Sequence, residues 1–348
     1  MLRPRAIGTV AALWLASLVF AGSSLAAFTL HEGAQAPLPG VNLPSGSFGS
    51  KGSKRERDYT YPTRADIDHF TAKGFKIFRI SFLAKRVVAP DGSGGFAPTE
   101  DMRLLTELID YAATKDASVI LDMHDYGRSI SGKLIGRDPG ATEEFAASWR
   151  TIADEVSRRP NVIFGLMNEP NKQSAEEWLE GANAATAAIR DAGAYQLVLV
   201  PGSYWDSAHG WTTSDNATVM PGFRDPADNF VYEVHQYLDS DGSGAHTTVA
   251  PGAGAERLAA FTDWARKRGV RAVLGEVGWA ANAPAQKEGR DMLCYMHRNK
   301  DVWLGWSYWA GGPWWGDYMF SVQPEDGVDK PQMRVLSEFV GQDAAPQC

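Results

Sequence analysis

Eight short apolar runs, rich in β-branched residues and separated by helix-like segments, constrain this chain more than any other feature. They lie at 40–43, 77–80, 118–121, 162–166, 196–200, 230–234, 272–275 and 303–307. Runs so short and apolar on both faces suit parallel strands covered by helices. Between them, Met102, Leu105, Ile109 and Ala112 form one helical stripe after Thr99, a candidate N-cap. Phe145, Trp149, Ile152 and Val156 form another after Thr142. Ser174 with Glu177 makes a capping box ahead of Trp178, Ala182, Ala185 and Ile189, and Gly269 closes a stripe of Leu258, Phe261 and Ala265. The alternation predicts an α/β fold, a single-domain (β/α)8 TIM barrel. The 348 residues suffice, since such barrels need about 250. An open doubly wound sheet is the alternative, but it wants a Gly-rich turn after the first strand, and residues 44–49 match that poorly.

The ends of the chain bear on compartment. Two arginines (Arg3, Arg5), an apolar stretch from Ala6 to Ala21 and small residues at Ser24 and Ala26 predict a secretory signal over 1–26, leaving a catalytic domain over 27–348. The competing reading is an uncleaved anchor over 7–27. Secretion, extracellular or periplasmic, would allow Cys294 and Cys348 to pair, although two cysteines alone leave the pairing open. A net charge of −8 and the lack of a long basic block argue against a nucleic-acid partner. No cysteine and histidine cluster has zinc spacing.

In a barrel of this kind the chemistry sits at the C-terminal ends of the strands. Arg79 ends the second run, His124 the third, Asn168 and Glu169 the fourth, His235 and Tyr237 the sixth, Glu276 the seventh and Trp309 the eighth. Singly, each has a plain structural explanation; together on one face they point to a site. Two carboxylates on different strands suit glycosidic cleavage, in which one protonates the departing oxygen and the other meets the developing positive carbon. Glu169 lies in Asn168-Glu169-Pro170, and Glu276 follows Gly275. Arg79 is a candidate ion-pair partner for Glu276. Twelve tryptophans add a second signal. Trp205, Trp211, Trp279, Trp309, Trp314 and Trp315 follow strand candidates, and flat rings suit the apolar faces of a glucan.

With the stretches at 121–126, 168–170, 235–239, 275–276 and 307–310, the chain resembles glycoside hydrolase family 5, the cellulase family, over nearly its whole mature length. Residues 231–239 and 309–316 resemble its fungal-type endoglucanase branch most. The resemblance implies a (β/α)8 barrel, a retaining two-step mechanism and no metal cofactor. It implies Glu169 as acid/base and Glu276 as nucleophile, with Arg79 and Tyr237 holding Glu276, His235 beside the acid/base, and His124 and Asn168 on sugar hydroxyls. It places Trp309 under the sugar at the scissile bond, with Asp125 and Tyr126 nearby. Ser47 stands where that branch carries a glutamate, which touches the distal subsites and not the carboxylate pair. The expected activity is a secreted, monomeric endo-β-1,4-glucanase acting on a β-glucan polysaccharide, free of the membrane once the signal is removed. Mannan, xyloglucan and mixed-linkage glucan are alternative substrates, and a non-catalytic carbohydrate-binding protein is the alternative class.

Overall fold

The computed structural model describes residues 36–49, 54–341 and 346–348. The expected secretory segment lies outside these residues. No helix among them is long and apolar enough to cross a membrane.

All eight runs are strands: β1 Leu38–Asn42, β2 Ile77–Phe82, β3 Ser118–Met123, β4 Val162–Gly165, β5 Val198–Val200, β6 Phe230–His235, β7 Ala272–Val277 and β8 Trp303–Tyr308. They pair in parallel in sequence order, and β1 closes on β8. The result is a single α/β domain, a TIM barrel. The ring of helices comprises α1 Arg64–Ala72, α2 Glu100–Ala113, α3 Ala141–Val156, α4 Ala175–Asp191, α5 Asn216–Val219, α6 Ala253–Arg268, α7 Ala283–Arg298 and α8 Met333–Leu336. After β5 and β8 the helices shrink to a single turn, because the connecting loops carry aromatic and polar residues instead of a long apolar stripe.

The period of two along each strand builds the barrel interior in layers. Ile77, Ile120, Ile163, Leu199, Val231, Val273 and Leu304, one from each of β2 to β8, pack as an apolar plug. Two residues further up, the same inward face presents Arg79, Asp122 and Glu233, all fully buried. One more step brings His124 and His235 to the barrel mouth. Gly275 makes room for the middle layer, since a Cβ there would lie 2.1 Å from Glu233 Oε1. A register shift between Val234 and His235 sets His235 directly beside Glu276 on β7.

The capping box at Ser174 and Glu177 forms as expected, and Gly269, at φ 67°, ends α6 in the left-handed conformation that favours glycine. Two details differ from expectation. Helix α3 starts after Gly140, not after Thr142, whose hydroxyl instead accepts from the Gly136 N–H at 3.1 Å. A separate antiparallel ribbon, Val88–Pro90 with Phe96–Pro98, follows β2 where no strand was expected.

Cys294 on α7 is bonded to Cys348, so the C-terminal tail is tied to the barrel wall across 54 residues of sequence. A loop of that length lowers the entropy of the unfolded chain. Replacing both cysteines with serine is expected to cost roughly 2–4 kcal/mol, read as a lower melting temperature; an unchanged melting temperature would show that the tail adds nothing.

Candidate active site

The site is organised around one guanidinium. Arg79 is fully buried, and all five of its N–H groups reach an oxygen. Nε donates to Glu233 Oε1 at 3.0 Å, Nη1 to Asn42 Oδ1 at 3.0 Å and Glu276 Oε1 at 2.9 Å, and Nη2 to Asp122 Oδ1 and Asn168 Oδ1 at 3.0 Å each. Burial disfavours its charge, but the Asp122, Glu233 and Glu276 carboxylates outweigh burial and hold it above its ordinary value. Asp122 is likewise held below the usual carboxylate range, as Arg79 and His124 overcome the cost of burial.

Glu276 and Glu169 face each other across the mouth. One oxygen of each lies, together with a ring nitrogen of His235, within 4.8 Å of the others. Glu276 accepts from Arg79 and, through Oε2, from the Tyr237 hydroxyl at 2.6 Å. Burial pushes its carboxyl above the ordinary value, and the His235 and Arg79 cations act against that push. The charges expected to keep Glu276 ionised are thus present, but they work against a strong desolvation. His235 is held well above the ordinary histidine value: burial opposes its charge, and Glu276, Glu169 and Glu233 together overcome burial. Protonated, it donates from Nδ1 to Glu169 Oε1 at 2.9 Å. Glu169 sits at φ 42°, a left-handed conformation that turns the chain sharply into Pro170 at the strand end.

The same acidic groups raise the question of a cation. Asp239, Asp241 and His246 also converge, but Asp239 accepts from Ser243 Oγ and from the N–H groups of Gly244, Ala245 and His246, so its role is to fold that loop.

The mouth opens into two compartments that share Glu169. The smaller, about 160 Å³, is lined by His124, Tyr126, Asn168, Tyr237, Glu276 and Trp309. His124 and Trp309 stack at 16° with centroids 5.9 Å apart, and His124 Nδ1 bonds Asp122 Oδ2 at 2.7 Å. The peptide joining Trp309 to Ala310 is cis. The larger compartment, about 660 Å³, lies on the Glu169 side among Trp205, His209, His235, Asp241 and Arg257.

Three expectations about binding residues change. Trp211 is fully buried against Phe261 and Trp264 of α6, and Trp279 is buried against Tyr308, so both belong to the core and neither can touch a sugar. Asp125 lines neither compartment; its Oδ2 accepts from the Ala84 N–H at 2.8 Å and caps the turn after β2. Trp314 is exposed but also lines neither, whereas Trp315 packs on Trp309 and Phe48 at 5.3 Å from each. Asn216-Ala217-Thr218 has the form of an N-glycosylation sequon, but in the folded protein the Asn216 side chain is buried and its Nδ2 donates to Ser203 O at 2.9 Å. Glu233 and Asp122 went unnoticed, although each precedes a named histidine by two positions and so shares its face.

Likeness to known proteins agrees with this geometry. Residues 33–312 match the profile of the cellulase family (glycosyl hydrolase family 5). The chain is 38% identical over 316 residues to endo-β-1,4-glucanase A of Emericella nidulans, spanning 90% of this chain and 94% of that one. XacCel5A in complex with cellopentaose superposes with a TM-score of 0.82 at 39% identity, over 88% of this chain and 99% of that one. Pseudomonas stutzeri endoglucanase Cel5A in complex with cellobiose gives 0.80 at 34% identity, over 88% and 93%. A closed barrel, two facing glutamates held by a buried arginine and a buried histidine, and a match over most of the sequence lead to one conclusion: the chain belongs to the cellulase family, glycosyl hydrolase family 5.

Proposed function

We propose that this chain, an endo-β-1,4-glucanase, cuts internal bonds of a β-glucan with retention of configuration, Glu276 acting as nucleophile and Glu169 as acid and then base. The observation that carries the reading is the carboxyl pair, with oxygens within 4.8 Å of each other. Retaining pairs stand about 5–5.5 Å apart, too close to seat the attacking water that inversion needs.

The sugar to be attacked stacks on Trp309 in the smaller compartment, and the departing chain lies along Trp205 in the larger one. Glu276 forms a bond to the anomeric carbon as the glycosidic C–O bond breaks, and Glu169 gives its proton to the leaving oxygen. Water then enters that side; Glu169 takes its proton as the water oxygen bonds to the anomeric carbon and the Glu276 ester bond breaks. Arg79 and Tyr237 orient Glu276, each bonding a different oxygen. Asn168 uses Oδ1 on Arg79, which leaves its amide N–H groups for the sugar 2-hydroxyl. His235 holds Glu169 from below and, as a cation, opposes the build-up of two anions side by side.

The Cys294–Cys348 bond supports secretion into an oxidising compartment, extracellular or periplasmic. Trp205 is 54% exposed beside the cleft and gives a flat face for chain segments beyond the cleaved bond. Product analysis on cello-oligosaccharides tests the whole reading. Internal cuts releasing the β-anomer first are expected. A first-formed α-anomer, exclusive release of terminal glucose, or cleavage of mannan in preference to glucan would each overturn it.

A further inference from the structure

Asp206 is a fully buried carboxyl with no place in the reaction described above. Its Oδ1 accepts from the Gly202 N–H at 2.9 Å, and its Oδ2 meets no protein donor. Among the described residues no lysine or arginine pairs with it. The charged groups that face it are His235 and Glu233 from β6 and Glu169 from the end of β4, two of them carboxyls. An anion buried there without a cation of its own is strongly disfavoured, so the group keeps its proton. Burial pushes this carboxyl well above its ordinary value; His235 opposes the push and Glu233 adds to it.

The backbone around it is unusual. Tyr204, Trp205 and Asp206 are left-handed in succession, at φ 57°, 62° and 56°, a conformation costly for any residue but glycine. The turn is pinned by Trp205 N–H to Pro170 O at 3.1 Å, by Ser203 Oγ to Gln173 O at 2.6 Å, and by paired bonds between Ser203 and Asn216. It therefore rests on the loop that carries Glu169, and it holds Trp205 out into the larger compartment.

We infer that Asp206 is a positioning residue: as a neutral carboxylic acid it locks the strained turn that presents Trp205 to the departing chain, while adding no second anion beneath the His235–Glu169 pair. The inference rests on the assignment of the larger compartment to the leaving group.

Two variants and two measurements test it. In Asp206→Ala the Gly202 N–H loses its acceptor, and KM for cello-oligosaccharides that reach past the cleaved bond is expected to rise several-fold with kcat changed less than twofold. Asp206→Asn, which keeps an acceptor at the same place, is expected to restore KM. The second measurement is melting temperature against pH. The folded wild type holds a proton that the unfolded chain releases above about pH 3.8. Wild-type stability from this group is therefore complete below that pH and is lost progressively as pH rises toward the folded value. Asparagine does not titrate, so the melting temperature of Asp206→Asn relative to wild type is expected to climb between pH 4 and pH 7. A gap that stays constant with pH would overturn the neutral acid, and an alanine variant with wild-type KM would overturn the positioning role. The melting measurement needs no substrate and no alanine variant, so it decides the state of Asp206 even if wild type fails on these sugars.

Discussion

Replacing Glu276 with glutamine is expected to lower kcat on carboxymethylcellulose by about 10⁵-fold, on the scale seen when an enzymatic nucleophile is removed. The substitution keeps the side-chain shape and an oxygen for Arg79. Arg79 also keeps Asp122 and Glu233, so the fold is expected to survive with its melting temperature little changed. What is lost is the negative charge that bonds to the anomeric carbon, an interaction made on the way to the transition state. A chemical rescue separates the two carboxyls. In Glu276→Ala, azide can enter the space left by the carboxylate and attack the same face, giving an α-glycosyl azide. In Glu169→Ala, azide replaces the activated water in the second step and gives the β-glycosyl azide. Unchanged hydrolysis by Glu276→Gln, or rescue products with the two anomers exchanged, would sink the assignment.

Much of the architecture was legible because strand and helix write different periods into the chain. The eight barrel strands are short, apolar and bounded, and nothing else in the sequence looks like them. The site was legible for a related reason. Polar residues such as Arg79, His124 and His235 interrupt apolar runs at their ends, where packing alone would favour another valine. The same logic, carried two residues back along the face, reaches Asp122 and Glu233, and it is the step that was missed. Tryptophans were harder. Trp211 and Trp205 both follow β5, yet one is fully buried and the other 54% exposed. Which one points outward depends on the left-handed turn at 204–206 and on Phe261 of α6, which supplies the ring that Trp211 packs on. Neither leaves a periodic trace. The start of α3 was misplaced for a local reason: Thr142 is a good capping residue, but Gly140 can take the left-handed conformation the chain needs two residues earlier.

Arg79 is the position where the largest loss of both stability and activity is expected. In Arg79→Met three buried carboxyls, Asp122, Glu233 and Glu276, lose their shared cation. Breaking one buried pair costs about 3–5 kcal/mol, which corresponds to a fall of roughly 5–8 °C in melting temperature for a domain of this size. The pH dependence gives the cause. Asp122 in the wild type is held below its ordinary value, so its contribution is present at neutral pH and is lost only as pH falls through that lowered value. Without Arg79 the buried carboxyls favour protons, and the variant is stabilised by acid instead. The melting-temperature gap between wild type and variant is therefore expected to widen from pH 4 to pH 7, and equal melting temperatures at pH 7 would refute the hub role. Arg79→Lys is not a conservative alternative. An ammonium offers three donors from one point, whereas the guanidinium reaches five oxygens on five separate residues in one plane. Lysine can keep the net charge and still leave Glu276 or Asn168 without its partner. Its expected signature is partial recovery of stability with kcat still down by about 10²-fold, the loss that a misplacement near 1 Å produces. Full recovery of activity by lysine would mean that charge alone, and not the fork of N–H groups, holds the nucleophile in place.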